Sequence, residues 1–335
     1  MTETPPRVDI REVGPRDGLQ IERPIPTEAK LELIDALAAT GVGRIEVTSF
    51  VSPQAIPALA DAEAVAAHLD RWPHVRFSAL VAGLGGVRRA LAAGLTGLEY
   101  VVSASDGHSR ANVGRSSEES IALIEPVAEL VHQAGGHLEV IIAIAFDCPF
   151  DGPTPPGRVA EIARRAAFSG ADSLSVADTI GTATPVRTTD VLTRVRNAAP
   201  EMDLGLHLHN TRGQGLANAW AAYTLGIRHF DASVGGLGGC PFAPGASGNI
   251  ATEELAYMFD DGGITTGIDL DKTLAAARLA ERLLHKSLGS GLLRAGGRPV
   301  PAGAVASDNL AAATGTDEPL RRRSAAAPHG RDGTS

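Results

Sequence analysis

Eight short runs rich in β-branched and apolar residues, each followed by an Ala/Leu/Glu/Arg-rich stretch of helical length, limit the folds open to this chain more than any other feature. They lie at Val8 to Val13, Arg44 to Thr48, Val75 to Val81, Leu98 to Ser103, Leu138 to Ala145, Ser173 to Ala177, Leu204 to His209 and His229 to Val234. A helix between two strands carries the chain back to the same end of the sheet, so the strands run parallel. Eight such units close a parallel sheet on itself, and the expectation is an α/β fold, a TIM (β/α)8 barrel. Helix signals agree. Thr27 to Thr40 opens on a Thr cap after Pro26, Ser117 to Ala134 begins with Ser117 before two glutamates, and Gly41, Gly94, Gly135 and Gly170 close Ala-rich segments as C-terminal glycines do. An additional C-terminal helix is expected near Asp271 to Lys286. The barrel domain is placed at residues 1–289. Residues 290–335, Gly/Ala/Pro/Ser-rich with the Arg321-Arg322-Arg323 cluster, have little to bury and are expected to form a disordered tail.

A barrel predicts where chemistry collects: just after the strands, at the C-terminal mouth. Gly14-Pro15-Arg16-Asp17-Gly18 follows the first strand as a tight turn. Glu46 and Thr48-Ser49-Phe50 come with the second, Asp178 with the sixth, and His207-Leu208-His209 with the seventh. The eighth opens into Gly235-Gly236-Leu237-Gly238-Gly239-Cys240-Pro241, and Asn249 follows at the start of a helix. Because strand side chains alternate, His207 and His209 project to one face. Asp17, His207, His209 and Asn249 together offer oxygen and imidazole donors with little soft character, a set that suits Mg²⁺ or Mn²⁺ and would also accept Zn²⁺ or Co²⁺. The competing reading is that the histidines hydrogen-bond within the core and Asp17 only shapes a turn.

The net charge of −9 and the lack of a long basic patch argue against nucleic acid and leave a small molecule as the expected partner. No uncharged stretch reaches membrane-spanning length and no leader pattern precedes the first strand, so no membrane partner and a cytoplasmic location are expected. Two cysteines, Cys148 and Cys240, are too few for a disulfide framework.

Val13-Gly14-Pro15-Arg16-Asp17-Gly18-Leu19-Gln20, Thr48-Ser49-Phe50-Val51-Ser52-Pro53, and the segment from Ser233 through Gly235-Gly236-Leu237-Gly238-Gly239-Cys240-Pro241 to Asn249 resemble 3-hydroxy-3-methylglutaryl-CoA lyases. The resemblance spans about Val8 to Gly267. It implies a divalent-metal-dependent carbon–carbon lyase acting on an acyl-CoA, with a homodimer expected. Asp17, His207, His209 and Asn249 then match the metal ligands, Arg16 the catalytic arginine, Glu46 a supporting carboxylate, Asp178 an active-site acid and Cys240 the loop cysteine. Gln20 and Ser49 within these motifs, and Arg110 and Arg115 after the fourth strand, are expected to contact substrate.

The chemistry explains the residue types. Cleaving a 3-hydroxyacyl-CoA between C2 and C3 demands loss of the hydroxyl proton and releases the enolate of a thioester. A divalent cation lowers the hydroxyl pKa, a permanently charged guanidinium stabilises the enolate oxygen, and a thiol on a Gly-rich loop delivers the proton that quenches it. Asp178 or a histidine is the candidate base. Departures from the family pattern bear on the acyl group: Ile21 follows Gln20 where the family has Asn, Ile141 stands where it often has a Tyr, and Asn210-Thr211-Arg212 replaces Asp-Thr-Tyr. Citramalyl-CoA is therefore an alternative substrate to 3-hydroxy-3-methylglutaryl-CoA. A non-catalytic acyl-CoA-binding barrel is the alternative of another class.

Overall fold

The computed structural model describes residues 6–239 and 248–298. Eight strands form one closed, all-parallel barrel in sequence order: β1 Asp9–Glu12, β2 Arg44–Phe50, β3 Arg76–Val81, β4 Gly97–Ser103, β5 His137–Ala143, β6 Ser173–Asp178, β7 Asp203–Leu208 and β8 His229–Ala232. The expected barrel is therefore what forms, with each strand within a few residues of its predicted place. Closure is made by β1 against β8, in register Arg11 to Asp231.

The outward faces of the strands carry Ile10, Ile45, Leu98, Tyr100, Leu138, Val140, Leu174, Val176, Leu206 and Phe230, all buried beneath the helices. Gly41, Gly94, Gly135 and Gly170 end helices at φ of 91°, 85°, 69° and 93°, a region that disfavours a side chain. Two helix starts differ from expectation. Thr27 is the first helical residue of Thr27–Ala38, and its hydroxyl donates to Asp61 at 2.7 Å instead of capping. The stretch at 117–134 is two helices, Ser117–Ala122 and Ile124–Gln133, opened by a Ser116/Glu119 capping box. Pro126 explains the break, since it lacks the N–H that would bond Ala122.

The expected C-terminal helix runs Leu270–Leu284, capped by Asp269, and a short helix follows at Gly291–Ala295 with Ser290 buried at its start. The chain divides into units at Met1–Gly297 and Arg298–Ser335. Of the tail expected at residues 290–335, residues 290–298 are described and hold this short helix, and the part from residue 299 onward lies outside the described residues.

The barrel interior is unusual in being charged. In place of stacked aliphatic layers, Arg11, Glu99, Glu139 and Asp231 fill its middle and are all buried. Among the described residues a small apolar group, Leu80, Ile141 and Ala177 with Val101 against it, sits apart from the main core.

Candidate active site

The turn after β1 is a single wide helical turn, Gly14–Gly18, in which Gly18 N donates to Val13 O at 3.2 Å. A Cβ on Gly14 would meet Glu12 Oε1 at 2.7 Å, so the close approach requires glycine. This turn presents Arg16 and Asp17 inward and buries both. Across the mouth, Asn249 pairs with His209 through an isolated bridge, short of the helix Thr252–Asp261 where the sequence places it. Its Nδ2 donates to Asp17 Oδ2 at 2.7 Å and to Leu237 O at 3.1 Å.

Asp17, His207 and His209 bring one ligand atom each within 4.8 Å of one another, all buried, and make a potential metal site. His209 Nε2 lies 3.6 Å from Asp17 Oδ2. His207 Nδ1 is 3.1 Å from Asp231 Oδ2, which selects the tautomer that turns Nε2 toward a ligand. Asn249 Oδ1 is buried without a hydrogen-bond partner. An orphaned amide oxygen beside a carboxylate and two imidazoles is what a hard divalent cation would satisfy. Burial pushes Asp17 upward, but Arg16 and the two histidines outweigh it and hold the carboxyl well below the usual range, ready to ligate.

Arg16 is clamped between two acids: its Nη1 donates to Asp17 Oδ1 at 2.6 Å, and its Nε lies 2.6 Å from Glu46 Oε1. Glu46 lies within β2, inside the expected strand, and β2 runs on to Phe50, so Ser49 is a strand residue and not a loop residue as expected. A register shift between Glu46 and Thr48 explains how both remain inward: Glu46 pairs with Ser78, whereas Ser49 pairs with Leu80. Burial and the neighbouring Glu99 carboxyl push Glu46 well up against the pull of Arg16. Both Glu46 oxygens and Glu99 Oε2 are buried without a hydrogen-bond partner, and the two residues are linked through Ser78, which pairs with Glu46 and donates its hydroxyl to Glu99 Oε1.

Two acids pin the loops. Glu12 accepts from Gly14 N at 2.7 Å, Val234 N at 2.9 Å and the Thr252 hydroxyl at 2.6 Å. Asp178 accepts from Thr182 N at 2.9 Å and Ala183 N at 3.0 Å, and burial raises its pKa despite both bonds.

Of the expected substrate contacts, Gln20 joins the cluster, donating to Asp17 Oδ1 at 2.9 Å, and Ser49 is buried with its hydroxyl unpartnered. Arg110 is not brought in; it is exposed and pairs with Asp106 at 3.6 Å. Arg115 bonds the Ala82 carbonyl at the end of β3. Cys240 lies outside the described residues. Sequence reasoning missed Asp231, Arg11, Glu99, Glu139 and Glu12. For Arg11, Asp231 and Glu139 the available signal was an ionisable residue at every second position of a buried strand, as in Asp9/Arg11, His137/Glu139 and His229/Asp231; Glu12 and Glu99 carry no such pattern. A cavity of about 350 Å³ opens at the opposite, N-terminal mouth, lined by ion-paired Asp9, Arg44 and Arg76. No metal-type ligand cluster is found there among the described residues.

A metal-type ligand cluster and a doubly clamped arginine at the C-terminal mouth of a TIM barrel mark this as a metal-type barrel enzyme site. The chain belongs to the HMGL-like family, whose model matches residues 7–280. It is 42% identical to the (R)-citramalyl-CoA lyase of Chloroflexus aurantiacus, covering 88% of this chain and 93% of that protein. To the mitochondrial hydroxymethylglutaryl-CoA lyase of Rattus norvegicus it is 40% identical, over 88% and 91% of the two chains. Among solved structures, an HMG-CoA lyase from Acinetobacter baumannii in complex with coenzyme A and 3-methylmalate superposes with a TM-score of 0.84 at 41% identity, covering 90% of this chain and 100% of that one. The chain is an enzyme of this carbon–carbon lyase kind, and these relatives lend no support to a non-catalytic barrel.

Proposed function

We propose that the protein cleaves 3-hydroxy-3-methylglutaryl-CoA between C2 and C3 to acetyl-CoA and acetoacetate. The observation that carries this reading is the adjacency of Arg16 and Asp17: one turn holds a buried guanidinium 2.6 Å from a carboxylate that also faces both histidines. Asp17, His207, His209 and Asn249 would hold the cation, with Mg²⁺ or Mn²⁺ the best match to the donors. When bound, a divalent cation supplies the Lewis acidity that makes the C3 hydroxyl proton labile. Asp178, one of the residues matched by the family resemblance, is the proposed base for that proton, and burial, which raises its pKa, strengthens it in that role. As the C2–C3 bond breaks, its electrons pass to the thioester carbonyl, and Arg16, fixed by Glu46 and Asp17, stabilises the oxygen that becomes negative. Cys240 is the proposed donor of the proton that converts the enolate to acetyl-CoA. A cytoplasmic homodimer completes the reading, on the support of composition and family resemblance alone.

Citramalyl-CoA lyase activity is the second reading, favoured by the 42% identity to the Chloroflexus enzyme. The two substrates are identical through C3 and differ by one methylene before the carboxylate, a difference that binding pockets discriminate by only about 10–200-fold. The test offers both thioesters to purified protein with Mg²⁺ or Mn²⁺. Metal-dependent acetyl-CoA release from the glutaryl compound, ending on chelation, is expected. Preference for the shorter compound moves the assignment to the second reading, and cleavage of neither by folded, metal-loaded protein overturns the lyase assignment.

Metal binding has its own expected readout. At a hundredfold excess over its dissociation constant, Mn²⁺ should stabilise the fold by about 2.7 kcal/mol. His207→Ala and His209→Ala should each lose most of that thermal shift; a shift that persists in both would place the ion elsewhere.

A further inference from the structure

Arg11 projects from β1 into the barrel interior at 3% exposure, below the residues that carry the chemistry. Its guanidinium is saturated with acceptors. Nε and Nη2 hold both oxygens of Asp231 at 2.8 and 2.9 Å. Nη1 bonds Glu99 Oε1 at 2.6 Å, and Nη1 and Nη2 grip Glu139 at 3.2 and 2.9 Å. Two of these three acids lead straight to the candidate site. Asp231 Oδ2, held by Arg11, is the same oxygen that meets His207 Nδ1. The Ser78 hydroxyl donates to Glu99 Oε1, Ser78 pairs in register with Glu46, and Glu46 Oε1 lies 2.6 Å from Arg16 Nε. The barrel register enforces this arrangement: Arg11 pairs with Asp231, Asp231 with His207, and Glu99 with Glu139.

We propose that Arg11 is a positioning residue that sets both halves of the site at once, orienting His207 through Asp231 and Arg16 through Glu99 and Glu46. A planar guanidinium is needed, because two forked carboxylate pairs at a fixed angle cannot be met by the point charge of an ammonium. The saturation of Arg11 also explains why it serves no substrate directly: no donor remains to offer. Its effect on turnover rests on the lyase reading; its effect on metal binding does not.

The test is Arg11→Lys in the full-length chain, with Mn²⁺ affinity read by isothermal titration, melting temperature read alongside, and turnover at saturating Mn²⁺. Loss of the partner that orients a metal-ligating histidine lowers metal affinity about 10–100-fold in comparable sites, and that loss is expected here. At saturating Mn²⁺, kcat should stay reduced while KM holds, since a misaligned Arg16 loses contacts made mainly in the transition state. If Arg11→Lys fails to fold, the triple variant Arg11→Met, Glu99→Gln, Glu139→Gln keeps the volume while removing buried charge, and the same changes are expected of it. A lowered melting temperature with Mn²⁺ affinity and kcat within about twofold of the parent overturns the proposal, leaving Arg11 a structural ion pair. Weakened Mn²⁺ binding with normal kcat at saturation overturns the Arg16 arm. A parent protein that turns over neither thioester defeats the lyase reading instead, and the Mn²⁺ measurement still decides for or against Arg11.

Discussion

Arg16→Gln is expected to lower acetyl-CoA release by at least about 10²–10³-fold while the Mn²⁺ complex still forms. The size follows from where the guanidinium sits. It is buried and held by two acids, so it spends nothing on reorganisation when charge develops beside it, and glutamine supplies a weaker dipole in the wrong plane. The substitution also strips the cation from Glu46, whose carboxyl burial and Glu99 already push up, so Glu46 is expected to take a proton instead of unfolding the barrel. Adding Glu46→Gln to Arg16→Gln should therefore restore any stability lost without restoring turnover. Near-parental turnover in Arg16→Gln would remove the arginine from the mechanism. Loss of Mn²⁺ binding would mean that its main task is to orient Asp17.

The second large effect belongs to Glu12, which touches no proposed substrate atom. Glu12→Ala leaves Gly14 N, Val234 N and the Thr252 hydroxyl unpaired in the interior, and is expected to cost at least about 3 kcal/mol of stability. Glu12→Gln behaves differently. Its carbonyl can accept both backbone bonds and its amide can donate to Thr252 Oγ, so the loops stay joined. Burial raises the Glu12 pKa to about 7, from an unfolded value near 4.5, in spite of those three donors. A carboxyl that is raised on folding binds its proton more tightly in the native state. Its contribution is thus full below about pH 4.5 and is lost as pH rises to about 7, at up to about 1.4 kcal/mol per pH unit. Melting curves of parent and Glu12→Gln should diverge through that window, the parent losing about 3 kcal/mol more than the variant by pH 8. Parallel curves would show that Glu12 is ionised throughout.

Much of this was legible in the chain. The βα alternation, the terminating glycines and the placement of Arg16, Asp17 and the His207/His209 pair follow from patterns within a few residues, because helix and strand periodicity and glycine's backbone freedom act locally. The break before Pro126 is equally local, since it follows from the missing N–H of one residue. Arg110 and Arg115 are expected to contact substrate from the loop after the fourth strand; the fold sets Arg110 on a helix, exposed beside Asp106, and Arg115 against the Ala82 carbonyl. Loop membership does not set side-chain direction.

By itself, the sequence determined the barrel, the mouth at which its chemistry gathers and the residue types available there. Only the tertiary structure decided which charges meet. Arg11 and Asp231 are 220 positions apart and become neighbours because β1 closes against β8 in one register. The bulge in β2 keeps Glu46 and Ser49 both inward, a shift that no alternation rule foretells. Local sequence sets which side of a strand a residue takes; closure and register set its partners, and inside a closed barrel a buried charge depends on those partners.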